Sequence, residues 1–221
     1  MEGRLFAYGC SHTYGEGLRD CWIPAGKTID GIVGPDAGSL PSKYAWPKLL
    51  ADKMEIECHN YSMAGVSNKF IWHKILNTSF NEKDIVIVLW TYYNRTCILE
   101  NKNSSRRIMA SDIGNPHITE EKESFSKIYY EKYYYDYDVV TQSIGYFNHI
   151  KSYLDNIKVA NHHLIISDCL ERQPVPEWNQ VKLHPIKLRY DLPLAEDNKH
   201  PGEESHQILS DEIYTIIDQS K

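Results

Sequence analysis

Ser11, Asp197 and His200 are the residue types of nucleophilic acyl chemistry, and their placement makes that chemistry worth pursuing. A serine hydroxyl is a weak nucleophile and needs a base within hydrogen-bond reach. The run Asp197-Asn198-Lys199-His200-Pro201 supplies one. At that spacing the carboxylate can reach the Nδ1–H of His200 and fix its tautomer, leaving Nε2 to accept a hydroxyl proton. Pro201 disfavours the α region at His200 and so holds the turn open. Ser11 lies in Gly9-Cys10-Ser11-His12-Thr13, where it reads either as the nucleophile or as a cap of the segment that follows. His206 competes as base but has no acid three residues before it; it reads as a helix-surface or buffer position. Two turns offer oxyanion donors. Gly65, in Ala64-Gly65-Val66, would supply a backbone N–H already oriented for the purpose. Asn94, in Thr91-Tyr92-Tyr93-Asn94-Arg95, would supply a side-chain amide, or is simply a good turn residue.

These residues need elements to bring them together. Residues 4–8 read as a short buried strand ending at Gly9. The Gly- and Pro-containing stretch 18–43 is a long loop of the kind that rims or covers a site. Pro47 suits the first turn of a helix carrying Leu49, Leu50 and Met54 inward. Residues 56–61 read as a second strand, and Ser67 as the cap of a helix with Phe70, Ile71, Lys74 and Ile75 at helical spacing. The run 84–90 (DIVIVLW) is apolar enough for a strand covered on both faces. Residues 118–154 read as mostly helical, with Tyr129, Tyr130, Tyr133, Tyr134, Tyr135 and Tyr137 serving packing and rim. A strand is expected at 163–167, irregular chain at 174–196 with a short strand near 181–184, and a closing amphipathic helix at 203–218. Its inward side carries Ile208, Leu209, Ile213, Ile216 and Ile217. Alternating strands and helices imply a parallel sheet between helical layers. Ligands then bind beyond the carboxyl ends of the strands, and Ser11, Gly65 and Asn94 all follow predicted strands.

The chain has 221 residues, suiting one domain over 1–221, with 42% hydrophobic and 24% charged residues. A formal net charge of −6 and the lack of a basic stripe speak against a nucleic-acid partner; the short basic run 102–107 reads as a polar loop. No stretch nears the ~20 apolar residues of a membrane span, and MEGRLFAYGC lacks the apolar run of a secretory signal. Cys10, Cys21, Cys58, Cys97 and Cys169 are odd in number, without a CxxC spacing. They fit a reduced, cytoplasmic setting and small buried side chains.

The Gly9-Cys10-Ser11-His12-Thr13 turn resembles the first block of the SGNH/GDSL hydrolase family, usually Gly-Asp-Ser-Leu. Asn60-Tyr61-Ser62-Met63-Ala64-Gly65 resembles its second block, and Asp197-Asn198-Lys199-His200 its last. Block order matches over nearly the whole chain. Together with Trp46-Pro47-Lys48-Leu49-Leu50 and Gly65-Val66-Ser67-Asn68, the Gly-Cys-Ser-His-Thr variant is similar to a divergent branch common in viral and environmental sequences, so a virus-encoded protein is among the expectations. The resemblance implies a flavodoxin-like three-layer α/β/α sandwich with a five-stranded parallel sheet. It also implies ester hydrolysis without metal or cofactor: Ser11 attacks, His200 takes its proton and Asp197 orients His200. The N–H groups of Ser11 and Gly65, with an Asn side chain, would hold the oxyanion. Two departures stand out. Cys10 replaces the usual Asp, whose side chain does not attack. The third block, usually Gly-x-Asn-Asp, reads Trp90-Thr91-Tyr92-Tyr93-Asn94-Arg95, so either Asn94 after a two-residue shift or Tyr92 occupies the donor position.

The leading expectation is a serine esterase acting on a small-molecule or glycan ester, such as a sugar O-acetyl group. A different class, motivated by the altered third block, is a binding module retaining the fold and remnants of the triad. Metal hydrolysis by His162, His163, His200 and His206 is a third reading, but their spacings match no zinc signature. The oligomeric state is not legible in the sequence.

Overall fold

The structure, a computed structural model, describes residues 3–102, 104–116, 118–168 and 182–219. Its centre is a five-stranded sheet of β1 (Arg4–Tyr8), β6 (Glu57–Asn60), β7 (Ile85–Trp90), β10 (Ala160–Ile166) and β11 (His184–Ile186). The spatial order is β11-β10-β7-β1-β6, and every pairing is parallel. The chain enters in the middle, runs to one edge and then returns past β1 to the other. The reversal falls between β1 and β7, where such sheets leave a crevice at their carboxyl edge.

Alternation along the strands builds two cores. Leu5, Ala7, Ile87 and Leu89 face the helices α2 (Trp46–Lys53) and α6 (Glu203–Asp218), meeting Trp46, Leu50, Leu209 and Ile213. Phe6, Tyr8, Val86, Val88 and Trp90 face α3 (Asn68–Leu76) and α5 (Asp136–Asn156), meeting Phe70, Ile75, Phe147 and Leu154. A central strand buried on both faces needs no polar side, which is why residues 85–90 are uniformly apolar. The expected three-layer α/β/α arrangement is therefore present. Among the described residues, no helix is long and apolar enough to cross a membrane.

Several boundaries differ from expectation. In α2 it is Trp46, Leu50 and Ala51 that turn inward, with Leu49 half-buried at the edge of that face. The second strand is shorter than expected, and β10 begins three residues earlier than its apolar core suggests. β11 starts at the last residue of the expected 181–184 and runs past it; residues 174–181 of the stretch read as irregular fall outside the described residues, as does Cys169. The stretch 18–43 is not featureless. It holds two small antiparallel pairs, β2 (Trp22–Ile23) with β5 (Asp36–Ala37), and β3 (Thr28–Ile29) with β4 (Ile32–Val33). The basic run expected as loop belongs to an antiparallel hairpin, β8 (Thr96–Leu99) and β9 (Ser105–Ile108). Its inward residues, Cys97 and Ile108, are few, so arginines and serines masked the two-residue period. The Tyr-rich region is helical, as α4 (Glu120–Lys132) and α5. Tyr129, Tyr130 and Tyr134 pack on one another, while Tyr133, Tyr135 and Tyr137 stay exposed.

Candidate active site

The turn after β1 is built by its glycine and threonine. A Cβ on Gly9 would overlap the Thr13 side chain and lie 3.1 Å from the Leu89 carbonyl, so only glycine lets Thr13 fold back over the turn. Cys10 is the N-cap, its carbonyl accepting from the N–H groups of Thr13 and Tyr14 at 3.0 and 2.9 Å. Ser11 therefore opens the short α1 (Ser11–Tyr14) and does not cap it. The N–H groups of Ser11 and His12 lie in the first turn, where no helical carbonyl can meet them. The Cys10 side chain does not accept from them as a cap would.

His200 and Asp197 form a tight pair. Asp197 Oδ2 lies 2.5 Å from His200 Nδ1, while Oδ1 accepts from the N–H groups of Lys199 and His200 at 2.9 and 3.0 Å. The Asp197 side chain is almost wholly buried. Burial alone would raise its carboxyl pKa, but the His200 ring and the two backbone N–H groups together outweigh it and hold the group below its ordinary value. The loop is closed by Ala195 N–H donating to the His200 carbonyl at 2.9 Å, and Asn198 takes the left-handed conformation at φ 55°.

The pair meets the first turn through Glu16 and Gly17. Gly17 has φ +89°, and a Cβ there would sit 2.6 Å from the Asp197 carboxylate. Its carbonyl accepts from Glu196 N–H at 2.9 Å. Glu16 Oε2 lies 3.7 Å from His200 Nε2, and burial pushes the Glu16 carboxyl pKa up against the opposing pull of His200. The His12 ring stands 5.3 Å from the His200 ring, centroid to centroid. Burial, followed by the His200, Arg95 and His206 charges, holds His12 well below the usual imidazole range, so it stays neutral. Ser11 Oγ makes no hydrogen bond to His200 among the described residues.

Gly65 adopts φ +69°, and a Cβ there would sit 2.6 Å from Arg107 Nη1. Arg107 donates from the same nitrogen to the Ala64 carbonyl at 2.9 Å, tying the hairpin to this loop. The loop is joined to the nucleophile turn by Met63 N–H donating to the Gly9 carbonyl at 3.3 Å, and by Asn60 Nδ2 donating to the Thr13 carbonyl at 2.8 Å. In the turn after β7 the Asn94 residue is exposed, and its carbonyl accepts from the Tyr130 hydroxyl at 2.5 Å. Tyr92 is half-buried, with Arg95 4.9 Å above its ring. The residue that fixes this turn is Asn68. It is fully buried, donates to the Thr91 carbonyl at 3.0 Å and accepts from Thr91 N–H at 2.8 Å.

His206 is not on the helix surface. It is buried, and its Nδ1 accepts from the Trp46 backbone N–H at 3.3 Å, so that nitrogen carries no proton. Burial pushes its pKa down to about 4. His163 is a similar case, accepting from Trp90 Nε1 at 3.1 Å. Glu16, Gly17, Asn68 and Arg107 escaped sequence reasoning as functional residues. Gly15-Glu16-Gly17 carried a faint signal, two glycines flanking one acid just after the serine.

Beside the first turn lies a cleft of about 620 Å³, lined by Tyr14, Asn60, Tyr61, Ser62, Lys74 and Arg107 among others. It runs along the Met63-Ala64 side of the turn.

No protein-family model matches the chain, and no curated protein matches it in sequence. Solved structures do match in fold. One is a carbohydrate esterase whose active site is described as displaying divergent catalytic and non-catalytic binding functions; TM-score 0.57, 11% identity, covering 99% of this chain and 69% of that one. A second is a carbohydrate esterase family 2 enzyme plus carbohydrate-binding domain from Corynascus thermopiles (Myceliophthora fergusii), with TM-score 0.55, 11% identity and coverage of 99% and 66%. A third, the family two carbohydrate esterase from Cellvibrio japonicus, gives TM-score 0.50, 11% identity and coverage of 99% and 62%. The chain thus spans about two thirds of the length of these proteins. At this identity the likeness is one of fold.

Proposed function

We propose that the chain is a serine ester hydrolase, with Ser11 as nucleophile, His200 as base and Asp197 as the group orienting His200. The observation that carries this reading is the buried Asp197 carboxylate 2.5 Å from His200 Nδ1, which leaves Nε2 as the nitrogen available to a hydroxyl proton. Nε2 takes the Ser11 proton as Oγ attacks the ester carbonyl. The tetrahedral intermediate then collapses, Nε2 returns the proton to the departing alcohol, and water repeats the sequence on the acyl-serine. The N–H groups of Ser11 and Gly65 are the candidate oxyanion donors, each worth roughly 10²–10³ in rate. Asn94 is the third candidate, with Tyr92 as its competitor for the position. A glycan O-acetyl ester is the substrate class we favour, in keeping with the fold shared with carbohydrate esterases. The test is hydrolysis of p-nitrophenyl acetate. Wild type should exceed Ser11→Ala by about 10³-fold or more; equal, background rates would sink the reading.

A second reading is a binding module, and one observation favours it: Glu16 stands 3.7 Å from Nε2, where the serine hydroxyl would have to be. An imidazole with a carboxylate facing each ring nitrogen offers the serine hydroxyl no unengaged nitrogen. Hydrolysis by Glu16→Gln at or above the wild-type rate supports the enzyme. Background rates from both, with retained glycan binding, support the module.

A further inference from the structure

The cleft of about 620 Å³ beside the first turn has a charge that the whole molecule does not. The chain carries a net −6, yet no Asp or Glu is among the described residues lining this cleft, while Lys74 and Arg107 both are. Neither cation pairs with a carboxylate among the described residues. Arg106, next in sequence, does pair, with Glu100 and Glu121. Arg107 donates from one nitrogen to the Ala64 carbonyl, and its charge reaches the site, opposing the burial that raises the Glu16 carboxyl pKa. Lys74 Nζ lies 5.6 Å from the ring centroid of Tyr61, an exposed residue that also lines the cleft. Ser62, Ser104 and Ser105 are also among the lining residues. Two half-buried cations, an aromatic ring and several hydroxyls suit an anionic, hydroxyl-rich ring.

We propose that this cleft receives the sugar of the substrate and that the sugar bears a carboxylate: an O-acetylated uronate, its acid group against Lys74 and Arg107. The proposal rests on the ester-hydrolase reading for the cleavage, but not for the binding. An acetyl group is far smaller than the cleft, so the space suits the alcohol side of the ester; Ser11 and His200 do not line it, and it meets the Gly65 loop through Ala64 and Arg107.

Two measurements separate the claims. The first is kcat/KM on an O-acetylated uronate oligosaccharide against an O-acetylated neutral xylo-oligosaccharide of equal length. Wild type should favour the acidic one by about tenfold or more, the scale of one charge-assisted hydrogen bond. That ratio should collapse toward one in Lys74→Gln and Arg107→Gln through KM on the acidic substrate, survive in Lys74→Arg, and weaken with added salt. The second is calorimetric binding of the deacetylated uronate oligosaccharide to Ser11→Ala. Hydrolysis of both substrates with equal efficiency, and no charge-dependent binding, overturns the cleft proposal and leaves the esterase standing. Charge-dependent binding lost in Lys74→Gln, with no ester cleaved by wild type, supports the cleft and removes the esterase.

Discussion

At the scale of single residues, the Asp197–His200 pair is held by backbone as much as by side chains. Three contacts converge on one carboxylate, and Gly17 passes so close that a Cβ would lie 2.6 Å from it. Gly17 also needs its positive φ of +89°, a conformation costly to any residue with a Cβ. Gly17→Ala should therefore lower stability by about 1 kcal/mol or more and, by displacing Asp197, lower kcat/KM by up to about 10²-fold. Thermal unfolding and ester hydrolysis check the two halves; an alanine variant with wild-type values for both would show that the contact is not needed. The acid–base pair was legible in the sequence because its spacing is local. Glu16 and Gly17 were not, since their importance comes from a contact with a segment about 180 residues away, read from the pairing of Gly17 with Glu196.

Among the elements, the strand order gathers the site. Turns after β1, β6 and β7 share one edge of the sheet, and the chain reversal between β1 and β7 opens the crevice there. The sequence carried this much through the apolar runs of β1 and β7 and the caps and periodicity of α3. It failed where tertiary contact outweighs local pattern. The β8–β9 hairpin hid behind its arginines, and β10 takes in Asn161 and His162 ahead of the expected start at residue 163, polar letters that occupy a strand. Asn68 shows the same limit: its identity suits a helix start, but its use is to bind both backbone groups of Thr91. Asn68→Ala leaves those groups buried and unpaired, so the fold should lose about 1–3 kcal/mol, and the turn bearing Tyr92 and Asn94 should loosen. Chemical denaturation measures the loss. An unchanged midpoint would show that the turn finds other partners.

Across the whole molecule, several histidines are folded in as neutral groups. Burial is the main cause for each: His206 and His162 are pushed down to about 4 and His163 to about 3, from an ordinary 6.5. The unfolded chain takes up protons at these positions below about pH 6.5, while the native chain does not until much lower. Stability should therefore fall as pH drops from 6.5 toward 4, and be fully present above that window. Denaturant midpoints across the range test this. His163→Gln, which keeps an acceptor for Trp90, should flatten the slope; a wild-type midpoint constant down to pH 4.5 would contradict the assignment.

The most direct measurement of the central claim is covalent labelling with a serine-directed phosphonate, mapped by mass spectrometry. One adduct on Ser11 is expected, absent in Ser11→Ala and formed far more slowly in His200→Gln, where no base takes the hydroxyl proton. No adduct on Ser11, or hydrolysis that persists in Ser11→Ala, would contradict it.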